Sequence, residues 1–295
     1  MSDLILEADL QLQQPALIAA FTGWPDAVEA SSRVVSFLRE KLEATRVGTI
    51  RSDGFYDFAS ARPRVNIRGG VMRGLEYPGT IIYSWRNPEG PGRDLLLLEA
   101  SEPNLRWPAY VDAILDLVTR CDVQAVYSFG SLFDGVPHTR PPHISMAVAQ
   151  PELRRSMARL GLSPVNYEGP SSIHTALLDG CRTRRIPAAN FWGHVPAYAQ
   201  LSWNPRITLA LLETVLALLE MPFDLQELRN QATQVDDLLD RLVEADSDLQ
   251  RQVRGYERRH DKDAPTGSLP SADAILSQVE EFLRSSQEDD NEPEE

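Results

Sequence analysis

Histidine and cysteine are the residue types most often used for metal binding and nucleophilic catalysis, and this sequence has five histidines and two cysteines. No two histidines are spaced i, i+4 on a predicted helix, and no Cys-x-x-Cys pair occurs. Cys121 and Cys181 fall at apolar helix ends, where we expect packed and unreactive thiols. We therefore predict no catalytic residues and no metal site.

Phosphate-binding motifs are also absent. The sequence contains neither G-x-x-x-x-G-K-[ST] nor G-x-G-x-x-G after a predicted strand. Lys41 and Lys262 are its only lysines, so a lysine that could hold ATP phosphates or form a Schiff base has almost no candidates. We predict no cofactor and no binding of ATP.

A more informative pattern is positional: four loops rich in polar and aromatic residues each follow an apolar, strand-like segment. Loops that follow the strands of a parallel sheet gather at its carboxyl edge, where ligands of open α/β folds bind. We therefore expect one pocket or partner-binding surface there, with Trp24 and Tyr198 approaching each other. The alternative is that the aromatic residues only cover the core and the prolines only stiffen turns. The candidate residues are Trp24, Asp26, Glu102, Asn104, Trp107, His138, Arg140 and Tyr198.

Charges near the predicted helix starts limit what such a pocket could bind. Asp26 and Glu29 have the spacing of a capping box, whose carboxylates would use the amide groups of the helix start and repel phosphate. The predicted helix start at residues 169–172 is uncharged, so it is better suited to a phosphate.

Strand-like and helix-like segments alternate along the first 220 residues. Residues 15–21 are continuously apolar, which is typical of a strand buried on both faces of a sheet. Residues 54–74 predict a hairpin around Gly69-Gly70. The alternation predicts an α/β fold, a three-layer α/β/α domain with a mostly parallel sheet that spans residues 1–220.

Residues 221–285 predict a helical extension with a long helix at 224–257, a polar linker at 261–270 and a short helix at 271–285, followed by a disordered acidic tail at 286–295. The long helix has a seam of residues at alternating spacings of three and four, which is typical of a coiled coil. A single helix packed on its own domain could show a similar stripe, but so strict a repeat favours a helical partner. That partner is either the short helix folding back or the same helix of another subunit. Asp246 is the one charged residue of the seam, which consists of Leu225, Leu228, Ala232, Val235, Leu239, Leu242, Asp246, Leu249, Val253 and Tyr256.

Acidic residues outnumber basic ones by 43 to 29, giving a net charge of −14. Such a surface repels phosphate backbones and anionic lipid, so we expect no nucleic-acid and no membrane partner. No apolar run approaches the ~20 residues of a membrane span. The two free cysteines and the acidic N-terminus predict a cytoplasmic protein.

Several short motifs are familiar from one protein family. GWPDA (23–27), DGVPHTRPP (134–142) and FWGHVPAYAQ (191–200) resemble motifs of the proteasome assembly chaperone family, as do YEGPSSI (167–173) and LPSADAILSQVEEFLR (269–284). The resemblance is closest to the bacterial branch of that family and runs in order from about residue 10 to about residue 285.

The resemblance implies an α/β/α domain related to nucleoside phosphorylases and hydrolases, no established catalytic residues, and a homo-oligomer with a trimer favoured. Family members in archaea and eukaryotes act in assembling the 20S proteasome, and some archaeal members dock on it through a C-terminal hydrophobic-Tyr-any tripeptide. This sequence ends Asn-Glu-Pro-Glu-Glu, so we expect that docking element to be missing.

Two functions remain open. The first is a non-catalytic, assembly-chaperone-like or scaffold protein that acts through protein contacts, for which the resemblance implies a proteasome-related partner. The alternative is an enzyme or small-molecule-binding protein that takes a nucleoside-like ligand into the carboxyl-edge pocket. The absence of a nucleophile–base signature favours the first, and the polar and aromatic loops after the strands favour the second.

Overall fold

A mixed nine-stranded sheet organises the chain in this computed structural model, which describes residues 3–7, 9–88, 92–157, 160–221 and 223–263. The strands are β1 (Leu4–Leu6), β2 (Ala16–Thr22), β3 (Thr45–Ile50), β4 (Arg64–Arg68), β5 (Val71–Glu76), β6 (Thr80–Trp85), β7 (Leu95–Ser101), β8 (Ala125–Asp134), β9 (Ile144–Val148), β10 (Ser163–Pro164) and β11 (Ala188–Pro196). The helices are α1 (Ser32–Lys41), α2 (Trp107–Arg120), α3 (Pro151–Met157), α4 (Ile173–Arg184), α5 (Pro205–Leu219), α6 (Gln226–Ala245) and α7 (Ser247–Asp263).

The large sheet has the strand order β1-β3-β6-β7-β2-β8-β11-β9-β10, and β4 and β5 form a separate hairpin. Its four central strands, β7, β2, β8 and β11, are parallel, and antiparallel strands flank them on both sides. Helices α2 and α4 cover one face of the sheet, and α1 and α5 cover the other. The predicted α/β class, a three-layer α/β/α domain with a mostly parallel central sheet, is confirmed.

Strand β2 illustrates how the core forms. Its side chains alternate between the two faces: Leu17 and Phe21 pack under α2 and α4, and Ile18 packs under α1 and α5. All of these side chains are fully buried, which explains why this segment is continuously apolar. On β11, a Cβ atom at Gly193 would lie 2.4 Å from Ile207, so glycine lets α5 pack directly against the strand.

The predicted hairpin within residues 54–74 is confirmed by β4 and β5. Gly69 and Gly70 form the turn with φ angles of +57° and +75°, the left-handed conformation that a two-residue hairpin turn requires. Neither strand of this hairpin contains a buried residue, in contrast to the strands of the large sheet.

The predicted capping box at the start of the first helix is wrong. Residues 27–29 form a 3₁₀ turn, Val28 and Glu29 have positive φ angles, and α1 begins only at Ser32. Glu29 does not return to the helix start but pairs with Arg33 on α1 at 2.8 Å. The turn moves Glu29 away from the position that a capping box needs.

The single long helix predicted at 224–257 is also wrong, because α6 and α7 are separate helices that meet at Asp246. Asp246 has extended backbone angles, and its Oδ1 accepts the N–H groups of Asp248 and Leu249 at 2.8 and 3.1 Å. Asp246 is therefore the N-cap of α7 and is exposed, not a carboxylate within an apolar seam. At an N-cap the carboxylate accepts hydrogen bonds from backbone N–H groups, whereas burial in an apolar seam would leave its negative charge unpaired.

The predicted seam packs mainly on the chain's own domain. Leu225 and Leu228 join the core cluster that contains α5, and Val253 and Tyr256 are buried. Leu242, in contrast, is 47% exposed. A continuous coiled-coil seam along residues 225–256 is therefore not formed.

The end of the extension lies largely outside the described residues. Helix α7 continues through Asp263 and so includes the first three residues of the predicted linker. The rest of that linker, the predicted helix at 271–285 and the predicted tail at 286–295 fall beyond the described part of the chain. The domain boundary near residue 220 stays a prediction, although α5 ends close to it at Leu219. Among the helices that the structure describes, none combines the length and the apolar character that crossing a membrane requires.

Candidate functional site at the carboxyl edge of the sheet

The eight predicted site residues follow the carboxyl ends of β2, β7, β8 and β11. Because these four strands are parallel, their carboxyl ends lie on one edge of the sheet. These residues fall into two groups by position. The first follows β2 and β7 and comprises Trp24, Asp26, Glu102, Asn104 and Trp107, and the second follows β8 and β11 and comprises His138, Arg140 and Tyr198. Within the described residues, no hydrogen bond, ion pair or ring contact joins one group to the other.

Asp26 and Glu102 belong to the first group and place their carboxylates at helix starts. Asp26 Oδ1 accepts the N–H and the hydroxyl of Ser31, at 2.8 and 2.5 Å, just before α1. It also accepts the hydroxyl of Ser131 on β8 at 3.2 Å. Glu102 Oε1 accepts the N–H of Ile173, the first residue of α4, at 2.9 Å. Burial raises the pKa of Glu102, and the hydrogen bond from Ile173 partly offsets this effect.

The helix start at residues 169–172 is therefore not the anion site that the sequence led us to expect. The partial positive charge at the start of α4 already faces the carboxylate of Glu102. A phosphate at this position would have to displace that carboxylate and would be repelled by it. The expectation was wrong because the acid comes from the loop after β7, far away in the sequence.

Asn104 and Trp107, also in the first group, hold the loop after β7 in place. Asn104 Oδ1 accepts the N–H of Asp57 at 3.2 Å, and Trp107 Nε1 donates to the carbonyl oxygen of Pro103 at 2.6 Å. The N–H groups of Asn104 and Leu105 both donate to the Phe55 carbonyl oxygen. The side chains of Asn104 and Trp107 are therefore used for local hydrogen bonds.

Trp24 of the first group is exposed, with 65% of its surface accessible. Trp24 follows β2, whereas Tyr198 follows β11. Since β8 lies between β2 and β11, these two strands are about 10 Å apart. The ring of Tyr198 stacks on Tyr256 of α7 instead. The predicted pairing of Trp24 with Tyr198 is thus replaced by a contact with the helical extension.

His138 and Tyr198 form the centre of the second group. The backbone N–H and the ring Nδ1 of His138 lie 2.7 and 2.6 Å from the Tyr198 hydroxyl oxygen. His138 Nε2 lies 3.0 Å from Asp240 Oδ1 on α6. Burial raises the pKa of Tyr198 to about 12, so its hydroxyl remains protonated at neutral pH. Both side chains are held between the loops and the chain's own extension.

Arg140 completes the second group by pairing with α7. Its Nε and Nη2 each donate to one carboxylate oxygen of Asp261 at 2.8 Å, and Nη1 lies 3.3 Å from Glu257 Oε1. The hydrogen bond from Arg140 lowers the pKa of Asp261 to about 2. Because Arg140, Glu257 and Asp261 remain in contact with water, their ion pairs contribute little to the stability of the fold. The main effect of the paired hydrogen bonds is to orient α7.

The partners of this second group were missed by sequence reasoning. Arg206 at the start of α5 donates to the carbonyl oxygens of His138 and Arg140 and to Asp236 of α6. Asp236, Asp240, Glu257 and Asp261 lie on helices whose polar residues look like ordinary solvent-facing positions. The only signal for these four acidic residues in the sequence is that they lie on the helices that carry the apolar seam.

An Asp-His-Ser chain lies beside this group and was also missed. His194 Nδ1 is 2.7 Å from Asp134 Oδ2, and Nε2 is 2.9 Å from Ser145 Oγ. Burial would raise the pKa of Asp134, but the hydrogen bond and charge of His194 lower it overall. This order of groups resembles a catalytic triad, yet Ser145 is only 2% exposed and His194 only 1%.

The Asp-His-Ser chain therefore connects three neighbouring strands, β8, β11 and β9, without offering a nucleophile to a substrate. The adjoining cavity, lined in part by His138, His143 and His194, has a volume of about 10 Å³, which holds about one water molecule. No group of three or more His, Cys, Asp or Glu side chains in the described ranges is placed to hold a metal ion.

Fold and site together define a three-layer α/β/α protein whose own helical extension contacts the loops after β8 and β11 at the carboxyl edge. The sequence matches the PAC2 family over residues 20–243, and the chain belongs to this family. The resemblance to proteasome assembly chaperones that the short motifs indicated is thereby confirmed.

Two bacterial structures are similar to this chain. A PAC2 family protein from Streptomyces avermitilis shares 32% identity and a TM-score of 0.74, with 81% of this chain and 99% of that chain covered. A proteasome-assembly chaperone homologue from Mycobacterium tuberculosis shares 33% identity, the same TM-score and the same coverage. The family and these neighbours support a chaperone-like role.

One archaeal structure extends the comparison of the fold. An archaeal proteasome activator from Pyrococcus furiosus has a TM-score of 0.64, with 81% of this chain and 97% of that chain covered. Its identity is 15%, so the likeness concerns the fold alone. No protein of curated function matches the sequence.

Proposed function

We propose that this protein is a non-catalytic, assembly-chaperone-like or scaffold protein that acts through protein contacts, as a homo-oligomer with a trimer favoured. The observation that carries the proposal is that the chain's own groups occupy the carboxyl edge. The starts of α1 and α4 hold Asp26 and Glu102, and His138, Arg140 and Tyr198 contact α6 and α7. An enzyme of this class would keep this edge open for substrate.

Three large apolar side chains stay exposed at this edge. Trp24 is 65% exposed, Leu105 is 47% exposed and Phe133 is 46% exposed. Exposed tryptophan and other large apolar side chains are typical of surfaces that contact proteins. We place the partner-binding surface around Trp24, and we propose a proteasome-related partner because of the family and its chaperone-like neighbours.

A pull-down from the native host tests this proposal. The tagged protein is expected to retain 20S proteasome subunits or their assembly intermediates, identified by mass spectrometry, and Trp24→Ala should lose them without a change in melting temperature. Ile5→Ala is the matched control, because Ile5 is an exposed apolar residue on β1 at the far edge of the sheet. Recovery of a stoichiometric small molecule without any protein partner would contradict the proposal.

One observation favours the alternative, a small-molecule-binding protein. A cavity of about 440 Å³ adjoins Pro142, His143, Glu213 and His260, and its volume is in the range of ligand sites. None of the eight predicted site residues lines it. Thermal shift assays with a panel of nucleosides test this alternative, which predicts a rise in melting temperature with at least one of them.

A further inference from the structure

Helix α7 carries a row of basic residues along one face. Each residue of an α-helix is turned by about 100° from the one before, so residues three or four positions apart lie on the same face. Successive members of this row are three, four and four residues apart, and every one of them is exposed. We call the row the basic stripe, and it consists of Arg251, Arg254, Arg258 and Lys262.

The basic stripe lies on the side of α7 that faces away from the domain. Val253 and Tyr256, on the inner side of the helix, are buried. Two acidic residues of the same helix, Glu257 and Asp261, pair with Arg140 of the loop after β8. These two carboxylates therefore face Arg140 rather than the stripe.

Three of the four cations in the stripe lack a counter-charge. Arg251 pairs with Asp248, whereas the side chains of Arg254, Arg258 and Lys262 form no ion pair or hydrogen bond within the part of the chain that the structure describes. Like charges three or four residues apart destabilise a helix. The helix dipole favours a cation in the last turn, which accounts for Lys262 but not for Arg254, more than two turns from the end. An anionic partner along the stripe would remove this repulsion.

An acidic polypeptide segment would complement the stripe, and the chain itself contains one. Six of residues 288–295 are Asp or Glu, and none is Lys or Arg. Blocks of like charge with this composition are often interaction segments. The chain as a whole has a net charge of −14, which disfavours nucleic acid as the anionic partner.

The acidic segment is also near enough in the sequence to reach the stripe. The stripe is about 17 Å long, and eight extended residues span about 26 Å. The 24 residues between Asp263 and Glu288 can extend to about 80 Å, about three times the length of α7. A tethered segment has an effective concentration on the order of millimolar. The chain's own segment is therefore favoured over a second copy or another acidic protein.

We propose that residues 288–295 dock on the basic stripe of α7 in the same chain. Exposed ion pairs are individually weak, so the docking depends on several pairs at once and on the tether, and salt weakens it. The stripe is a surface for acidic peptides that the chain's own segment occupies, and an acidic partner has to displace this segment. The proposal goes beyond the partner surface around Trp24 and does not depend on it.

Carbodiimide cross-linking of the full chain, read by mass spectrometry, tests this docking. The reagent joins a lysine amine directly to a carboxylate, and the chain has only two lysines, Lys262 on the stripe and Lys41 on α1. Lys262 should link to residues 288–295 at low salt and lose this link at about 1 M salt, where the Debye length is about 3 Å. Lys41 should not link to this segment.

A mixture of isotopically labelled and unlabelled protein separates links within one chain from links between chains. Links that form only between chains overturn the proposal and indicate a second copy as the occupant. The proposal is equally overturned if Lys262 forms no link to residues 288–295, or if Lys41 links to them as readily.

Charge reversal distinguishes docking from simple tethering. Arg254→Glu combined with Arg258→Glu keeps Lys262 but should abolish its link to residues 288–295. Arg64→Glu combined with Arg68→Glu is the matched control, because it changes the net charge equally at two exposed arginines of β4 and should leave the link intact. A link that survives in the first double variant, or is lost in both, overturns the proposal. Nucleic acid that copurifies with the wild type but not with the first double variant also overturns it.

Arginine labelling provides a measurement that leaves every described residue unchanged. Replacing the six acidic residues of the segment by the corresponding amides should make Arg254 and Arg258 react faster with phenylglyoxal than in the wild type. Arg64 and Arg68 should react equally in both proteins. Equal labelling of Arg254 and Arg258 in the two proteins overturns the docking. Loss of proteasome binding in Trp24→Ala is scored separately, so a failure of the partner proposal is distinguishable from a failure of this one.

Discussion

His174 is a buried histidine that should make the fold sensitive to acid. It is fully buried on α4, its ring centroid lies 5.0 Å from that of Phe21 and 5.3 Å from that of Trp192, and neither ring nitrogen has a hydrogen-bond partner among the described residues. Burial lowers the pKa of His174 to about 3. In the unfolded chain the same side chain has a pKa of about 6.5.

The sign and size of the effect follow from this difference in pKa. Because the folded pKa is lower, the unfolded chain binds a proton first as the pH falls, and the folded state loses stability. The contribution is fully present above pH ~6.5 and is lost progressively down to about pH 3. Between pH 7 and pH 5 the loss from His174 is about 2 kcal/mol.

Urea unfolding at pH 7 and pH 5 measures this contribution in the wild type and in His174→Phe. The decrease in unfolding free energy between the two pH values should be about 2 kcal/mol smaller in the variant. Any packing cost of the larger ring cancels, because each comparison is made within one protein. Cys181→Ala is the control, since it changes the same helix and burial raises the pKa of the Cys181 thiol to about 12. Equal pH dependence in the wild type and His174→Phe would refute the reasoning.

Two further predictions concern the helical extension and its contact with Arg140, and a third concerns ATP. Asp246→Leu should lower the melting temperature because it removes the N-cap of α7. Asp246→Asn should have a melting temperature near that of the wild type. A higher melting temperature for the leucine variant would indicate that Asp246 lies in a buried seam. Arg140→Ala should accelerate hydrogen exchange across residues 247–263, because it breaks the ion pair with Asp261 of α7. Arg33→Ala is the control, since it breaks only the surface ion pair between Arg33 and Glu29 and should not change this exchange. Identical exchange in both variants would show that Arg140 does not hold α7. Calorimetry with Mg-ATP should show no binding, because the sequence lacks a phosphate-binding loop and has few lysines. A micromolar affinity for Mg-ATP would contradict this prediction.

Features that depend on residues close together in the sequence could be predicted from the sequence alone. The apolar run of β2 is sufficient for a strand buried on both faces, because side chains alternate and both sides must be apolar. Gly69 and Gly70 are sufficient for the hairpin turn, because both positions require positive φ. The alternation of strands and helices then led to the three-layer class, and the short motifs led to the family.

Periodicity alone could not distinguish one helix from two in the extension. The spacing of three and four residues continues through Asp246, because α7 resumes with its buried residues in the same pattern as α6. An aspartate in such a pattern is compatible with a charged seam position and with an N-cap. Only the backbone at Asp246, which leaves the helical conformation for one residue, decides between them.

The sequence by itself determined which residues would gather at the carboxyl edge, because parallel strands end on the same side of a sheet. Only the tertiary structure decided what those residues contact there. His138 meets Asp240 across 102 positions of sequence, Arg140 meets Glu257 across 117, and the amide of Ile173 meets Glu102 across 71. No local spacing encodes such pairs, since they depend on how α4, α6 and α7 pack after the sheet has formed.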